Sequence, residues 1–565
     1  MFHPIPAPEL LRDSRDAASS DNMGDLPEWN LDDLYPSTDG PEITKDLGWL
    51  SNETTTFGTD YQGKLAELDA TAMLNCVQRY ERIQQVAGRV MSFAGLRYYQ
   101  NTTDADRGKF MGDMQAQITD MSANLVFFSL EMNRIEDDAL DALLTENADL
   151  NRYKPIFENL RKMKPYQLSD ELEKFLHDQS VVGASAWNRL FDETMAALTF
   201  EIDGEELSLE ATLNLLSDTD RARREIGAKA LANVFSENTQ LFARITNTLA
   251  KEKEIEDRWR SMPTPQTSRH LANDVEPEVV QALRDAVVAA YPKLSHRYFA
   301  LKAKWMGLDK MEVWDRGAPL PDEDDLLIPW EKARAMVMDA YTDFDPRMAE
   351  IAEPFFDKGW IDAPVKPGKA AGAFAHPTVT DAHPYIMLNY LGKQRDVMTL
   401  AHELGHGVHQ ILAADQGELL SSTPLTLAET ASVFGEMLTF RKLLDNAPDQ
   451  AARKRLLAGK VEDMISTVVR QIAFYDFECR LHAARATEEL TPDQINAIWM
   501  EIQHESLGDG FNFMEGYETF WSYIPHFIHS PFYVYAYAFG DGLVNALYAV
   551  YQEGGQDFQE KYFDM

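Results

Sequence analysis

The sequence predicts a mainly helical protein with a small β element beside its most informative helix. Three observations carry this. From about Glu42 to Leu198, and again over Asp218–Arg258 and Glu276–Trp305, helix formers dominate and apolar residues recur every three and four positions. The stretch from Asp396 to Gln410 splits cleanly into a polar and an apolar face when wound as a helix. Between Lys369 and Tyr390 the pattern changes, and Gly372–Ala375 and Tyr385–Tyr390 read as short strands joined through His376-Pro377 and His383-Pro384.

Composition narrows the class. A hydrophobic content of 45% and an aromatic content of 11% are those of a globular chain, and 565 residues can bury more than one substructure. The net charge of −39 argues against nucleic acid and anionic membrane as partners, because both repel such a surface. Two cysteines, Cys76 and Cys479, make no disulfide framework and fit a reducing compartment. Met1 to Trp29 lacks the basic start and apolar run of a signal peptide, and no stretch reaches membrane-spanning length, so a cytoplasmic location is expected.

Taken in order, residues 1–25 read as a loose arm rich in Pro, Ser, Asp and Ala. Trp29, Leu31 and Leu34 are anchors that dock the next segment on the body. Residues 26–197 are expected to form an N-terminal helical lobe, including helices at Leu74–Phe93, Thr103–Asn133 and Asp138–Leu143. Residues 198–565 are the expected catalytic unit. It opens with a hairpin turning on Asp203-Gly204, and Pro263 and Pro265 punctuate its long helices. Arg269 and His270 precede an N-cap candidate, Asn273 or Asp274, and read as structural.

The chemistry sits at His402-Glu403-Leu404-Gly405-His406. His-Glu-x-x-His on a helix places two imidazoles one turn apart and a carboxylate beside them, as a catalytic zinc requires. With His402 at zero, His406 falls near 40° and Glu403 near 100°. Val397, Leu400, Ala401, Leu404, Val408 and Ile411 take the opposite side, and Asp396 is the expected N-cap. A catalytic zinc takes a third protein ligand. Residue 412, where one zincin class carries a third histidine, is Leu, and His409 follows too closely to replace it. Leu425–Leu438 is apolar apart from a few positions, and Glu429 and Glu436 lie on one face of it. Glu429 is the expected ligand, and Glu436 the expected partner that orients a histidine.

These residues resemble a known family. Thr399–His406, followed by Leu427-Ala428-Glu429-Thr430-Ala431-Ser432, is similar to the oligoendopeptidase F branch of the thimet-oligopeptidase family. The likeness runs on through Trp29–Tyr35, Ser268-Arg269-His270, Trp314-Asp315, Gly372-Ala373-Phe374, Ile524–Phe527 and Pro531–Tyr537. It implies a two-lobed helical metallopeptidase with the site deep in a channel, and so short, unfolded peptides as substrates. One Zn²⁺ per chain is implied, held by His402, His406 and Glu429, with Glu403 as general base toward the water that the zinc activates. The resemblance also implies that a histidine and tyrosines near the C-terminus stabilise the oxyanion. His526 matches the histidine, and Tyr533 and Tyr537 the tyrosines, with His529 and Tyr535 in reserve. The spacing departs from that of the animal enzymes, which leaves open which tyrosine donates. Tyr533, Tyr535 and Tyr537 also read as one face of an extended segment, and Phe539–Gly542 as a turn or flexible joint.

The expected activity is internal cleavage of short peptides. The alternatives are a related helical exopeptidase and an inactive peptide-binding protein. An exopeptidase needs a group that captures a chain terminus, and the sequence identifies none. It sets no oligomeric state either.

Overall fold

Helices take 71% of the chain, and the seven strands among the described residues are no longer than three residues each. The structure, a computed structural model, describes residues 23–180, 182–320, 327–366, 368–370, 372–554 and 557–565. Most of the expected N-terminal arm lies outside these residues. Its last part is docked: Met23 is buried, and its carbonyl accepts from the Trp330 N–H at 2.9 Å.

The anchors behave as apolar residues flanked by turns should. Trp29, Leu31 and Leu34 are buried, with the Trp29 ring against Phe374 and Tyr385 at 6.3 and 5.9 Å between centroids. Pro27 and Asn30 exchange backbone bonds with Ala363 and Gly359. The segment therefore docks on the small sheet as well as on the helices that follow it, where Tyr35 bonds Asp46 and its ring meets Phe93.

Those helices are Pro41–Tyr61, Ala70–Gln100 and Ala105–Ser122, and the side chains of Asp69 and Asp104 cap the second and third. The stretch expected as one helix over Thr103–Asn133 is broken by a 3₁₀ turn at Ala123–Leu125. Beyond the turn, Phe127 and Phe128 both join an aromatic group with Phe57 and Tyr80. The hairpin is present, with β1 (Phe200–Ile202) antiparallel to β2 (Glu205–Leu207). Asp203 and Gly204 both take positive φ, the backbone a two-residue hairpin needs. The Arg221–Arg260 helix follows, capped by Asp220. The next expected helix is two, Pro277–Ala290 and Ser295–Trp305, divided at Pro292, which has no N–H to donate. Arg269 and His270 lie within a short helix, Thr267–Ala272, and Asn273 ends that helix rather than starting the next.

β3 (Met311–Glu312) pairs in parallel with the later β7 (Phe511–Asn512). The sheet near the motif has three strands, β4 (Ile361–Asp362), β5 (Phe374–His376) and β6 (Tyr385–Met387), in the order β4-β6-β5. β4 is too short to register as a sequence pattern. It is tied down by a buried pair in which Lys369 Nζ donates to Asp362 Oδ1 at 2.6 Å and to the backbone carbonyls of Asp362, Pro364 and Leu388. His376 is buried against the Ser92 hydroxyl, and His383 stacks on Trp360 and bonds Asp33. Both histidines are therefore engaged in holding the fold.

The buried apolar residues form two clusters. One joins residues from 23–157 with others from 330–456 and 544–558; the second joins 191–313 with 465–538. The Tyr535–Gln552 helix serves both, through Tyr535 and Ala538 in one and Val544 and Tyr548 in the other.

His482, in the second cluster's territory, supplies a pH test. Burial, with Lys253 adding to it, holds its pKa down at about 3, against 6.5 for an ordinary histidine. A depressed pKa means stability that is complete above pH 6.5 and is lost as pH falls toward the folded value. Urea unfolding of wild type and His482→Asn should therefore differ by an amount that changes by about 1.4 kcal/mol per pH unit across that window. A pH-independent difference would refute this.

Candidate metal centre

The motif helix spans Gln394–Ala414. Its start differs from the expected one. Gly392 takes φ +81° and Lys393 is extended, so Lys393 is the N-cap and Asp396 stands three residues in. From there Asp396 Oδ2 reaches back to accept from the Lys393 and Leu391 N–H groups at 2.9 Å, the carboxylate half of a capping box. The apolar face is as expected: Val397, Leu400, Ala401, Leu404 and Val408 are buried.

A second helix, Leu425–Asp445, crosses the motif helix at Gly405. A Cβ on Gly405 would lie 2.6 Å from the Ala431 carbonyl oxygen and 2.8 Å from Ser432 Cα. Only a glycine lets the two backbones meet there. The crossing brings Glu429 Oε2 to 3.3 Å from His402 Nε2 and 3.5 Å from His406 Nε2. One donor atom from each of the three residues lies within 4.8 Å of the others. Gly405→Ala should destabilise the protein by about 1–3 kcal/mol, because backbone cannot move aside as a side-chain tip can. Thermal unfolding reads this, and an unchanged midpoint would contradict the close approach.

Glu429 is held from several sides. The Ser432 hydroxyl lies 2.9 Å from its Oε2. On the Tyr535–Gln552 helix, Gly540 faces its Cβ so closely that an added methyl would come within 2.7 Å. Phe539–Gly542 is thus helix interior packed on the site, where a turn or joint was expected. Burial favours a neutral Glu429, but the His406 and His402 imidazoles outweigh it and hold the carboxyl well below its ordinary range. His402 Nδ1 lies 3.5 Å from Glu436 Oε2, and Glu436 Oε1 accepts from Lys460 Nζ at 2.7 Å. Burial works against that carboxylate too, yet Lys460 and His402 bring its pKa down to about 2. An ionised Glu436 only accepts, so it selects the His402 tautomer with its proton on Nδ1 and turns Nε2 toward Glu429.

This donor set fits a cation. His402 Nε2 is buried and makes no hydrogen bond. It faces a carboxylate oxygen, and the second imidazole nitrogen converges on the same oxygen. Two imidazoles and a carboxylate suit zinc. Glu403, 2% exposed, follows His402 on the motif helix and is outside the three-donor group. His409 is also outside it: Thr423 lies 3.3 Å from its Nε2, and burial with nearby His406 holds its pKa at about 4.

The C-terminal residues form a second group. His526 Nε2 and the Tyr537 hydroxyl are 3.2 Å apart. The His526 and Tyr533 rings lie parallel at 5.8 Å, and Tyr533 and Tyr537 meet edge-on at 5.1 Å. Burial, with Arg470 adding to it, lowers the His526 pKa to about 4, so it is neutral near pH 7. The extended segment expected over Tyr533–Tyr537 is a correction: Tyr533 sits in a turn, and helix begins at Tyr535. Tyr535 is fully buried and meets His270 and Asn273 at 3.1 and 2.9 Å, while Tyr533 and Tyr537 remain partly accessible. His529 pairs with Asp192 at 2.8 Å. Both reserve residues are therefore engaged elsewhere. Ser432, Lys460 and Gly540 were not anticipated. Only Ser432 had a local signal, its place one helical turn after Glu429.

Known proteins resemble this chain in sequence and in fold. Residues 339–562, which include both helices and the tyrosine group, match the model described as peptidase family M3, and residues 131–200 match the one described as oligopeptidase F. The structure superposes on oligoendopeptidase-F from Enterococcus faecium with a TM-score of 0.72 at 21% identity, covering 94% of this chain and 91% of that one. It superposes on PZ peptidase A, solved with an inhibitor, with a TM-score of 0.72 at 15% identity, covering 93% and 90%. In sequence it is 26% identical to oligopeptidase PepF of Bacillus subtilis over 95% of this chain and 80% of the relative. It is 25% identical to an oligoendopeptidase F homolog of Lactococcus lactis over 95% and 89%. The fold is thus a mainly helical peptidase fold. The chain belongs to peptidase family M3, in its oligoendopeptidase F branch, and is accordingly a peptidase that acts on oligopeptides.

Proposed function

We propose that this peptidase is a zinc endopeptidase that cuts internal bonds of short, unfolded peptides. The observation that carries the reading is the convergence of His402, His406 and Glu429 donor atoms within 4.8 Å, next to Glu403. One Zn²⁺ would be held by those three residues. When bound, it supplies Lewis acidity toward the attacking water and the scissile carbonyl.

The remaining chemistry belongs to the chain. Glu403 takes a proton from the water at a carboxylate oxygen and delivers it to the leaving amine. Lys460 keeps Glu436 ionised, and Glu436 keeps His402 in the tautomer that ligation needs. Tyr537, set by His526 and edge-on to Tyr533, offers a hydroxyl to the carbonyl oxygen as it gains charge. Burial favours neutral His526, which suits it to orient a tyrosine through a wide range of pH.

The test is metal removal joined to product analysis. Dialysis against a strong chelator should abolish cleavage of a mixed-length peptide set, and one equivalent of Zn²⁺ per chain should restore it. Product masses should show internal cuts in short peptides. Removal of single residues or dipeptides from one end would favour the exopeptidase alternative, and cleavage that survives chelation would overturn the zinc assignment.

A further inference from the structure

The helix that carries Lys460, Gln450–Met464, runs directly into a π-helical stretch, Ile465–Arg470, and then into the Gln471–Thr487 helix. A π stretch adds a residue to the helical register at the expense of good hydrogen-bond geometry, and it is found mostly at functional sites. This one ends on Arg470, in the same rod that supports Glu436.

Arg470 has an unusual set of neighbours. One Nη donates to the Tyr523 hydroxyl at 3.0 Å, and the guanidinium carbon lies 4.9 Å from the centre of the Phe474 ring. Nε is buried and makes no hydrogen bond. The other Nη makes none either, and the residue as a whole is half-buried. Among the described residues no carboxylate pairs with Arg470. The groups that act on it are Tyr523, Tyr517 and a second cation, Arg316. Three other arginines have carboxylate partners: Arg224 meets Asp315 at 3.0 Å, and Arg260 and Arg284 meet Glu173 and Asp476 at 2.7 Å; Arg97, Arg269 and Arg441, like Arg470, pair with none among the described residues. A guanidinium withdrawn from water is costly without an anion. This chain has 92 acidic residues and places none of the described ones here. The position is also informative. Tyr523 is three residues before His526, so the guanidinium that bonds Tyr523 is tied to the stretch of chain that carries the proposed oxyanion group.

We propose that Arg470, with the Tyr523 hydroxyl beside it, anchors a carboxylate of the bound peptide, either its C-terminus or an Asp or Glu side chain. The inference rests on the peptidase reading for its ligand. A planar guanidinium with N–H donors to spare suits a carboxylate, where a lysine would offer only a point charge.

The test uses binding, so that it does not depend on turnover. Zinc-loaded Glu403→Gln protein is titrated calorimetrically with peptide pairs of equal length. One pair differs by C-terminal acid against amide; the others, all amidated, differ by Glu against Gln at each position. The acid form of at least one pair should bind about 10-fold more tightly or better. Adding Arg470→Gln should bring that ratio close to one, and Arg470→Lys should keep part of it. The terminal pair responding identifies the C-terminus, and a side-chain pair responding identifies an acidic residue. Acid and amide forms binding equally to the parent protein would overturn the proposal, as would a preference that survives Arg470→Gln. If Arg470→Gln does not fold, Tyr523→Phe and Arg470→Lys carry the same comparison. Failure of wild type to cleave any peptide, with the acid preference intact, would count against the peptidase mechanism and not against Arg470.

Discussion

Glu403→Gln should lower kcat by about 10²–10⁴-fold, the range for losing a positioned general base, with zinc content, thermal midpoint and KM close to wild type. The side chain is 2% exposed and sits on the rigid motif helix, so an amide of the same shape keeps the packing and removes only the ability to take a proton. Three measurements on one preparation decide it: metal analysis, a melting curve and steady-state kinetics on a short peptide. Near-normal kcat would eliminate Glu403 as the base. A large loss accompanied by loss of zinc would move its role to the metal site.

Glu429→Ala should be the most damaging single change to the metal centre. Zinc should fall from one per chain toward none, and activity should fall at least as far as in Glu403→Gln. The variant removes the oxygen on which His402 and His406 converge and leaves a void between the Leu425–Asp445 and Tyr535–Gln552 helices, where Gly540 touches the Glu429 Cβ. Stability should drop as well, because a packed charge partner of two imidazoles is gone. Glu429→Gln separates the two effects, since it keeps the volume without the charge. A Glu429→Ala protein that still holds one tightly bound zinc would sink the three-ligand assignment.

Much of the candidate centre was legible because it is written in local spacing. His402 and His406 share a face at one helical turn, and Val397, Leu400, Leu404 and Val408 mark the opposite face. Glu429 stands out as a carboxylate in an otherwise apolar helix. The tyrosines show where local spacing misleads. Tyr533-x-Tyr535-x-Tyr537 looks like strand alternation, but two residues on a helix are about 200° apart, which also sends Tyr535 and Tyr537 to opposite sides. Tyr533 and Tyr537 then share a side whether the segment is extended or wound. The split of Glu276–Trp305 was signalled by Pro292, whereas the 3₁₀ break at Ala123–Leu125 had no Pro or Gly to mark it. Lys460, Gly540 and Arg470 carry no local signal, because their meaning lies in partners far away in sequence: Glu436, Glu429 and Tyr523.

The Tyr535–Gln552 helix belongs to both apolar clusters and closes on Glu429 through Gly540. It also follows the motif helix by a long stretch of chain. On a ribosome the motif helix emerges well before the helix that completes its surroundings, and the cluster that contains it waits for Val544, Tyr548 and Phe558. A growing chain therefore carries the motif without a finished surrounding until residues 535–552 have emerged. A chain that has emerged only as far as the motif helix has the two histidines but not the helix that packs against Glu429.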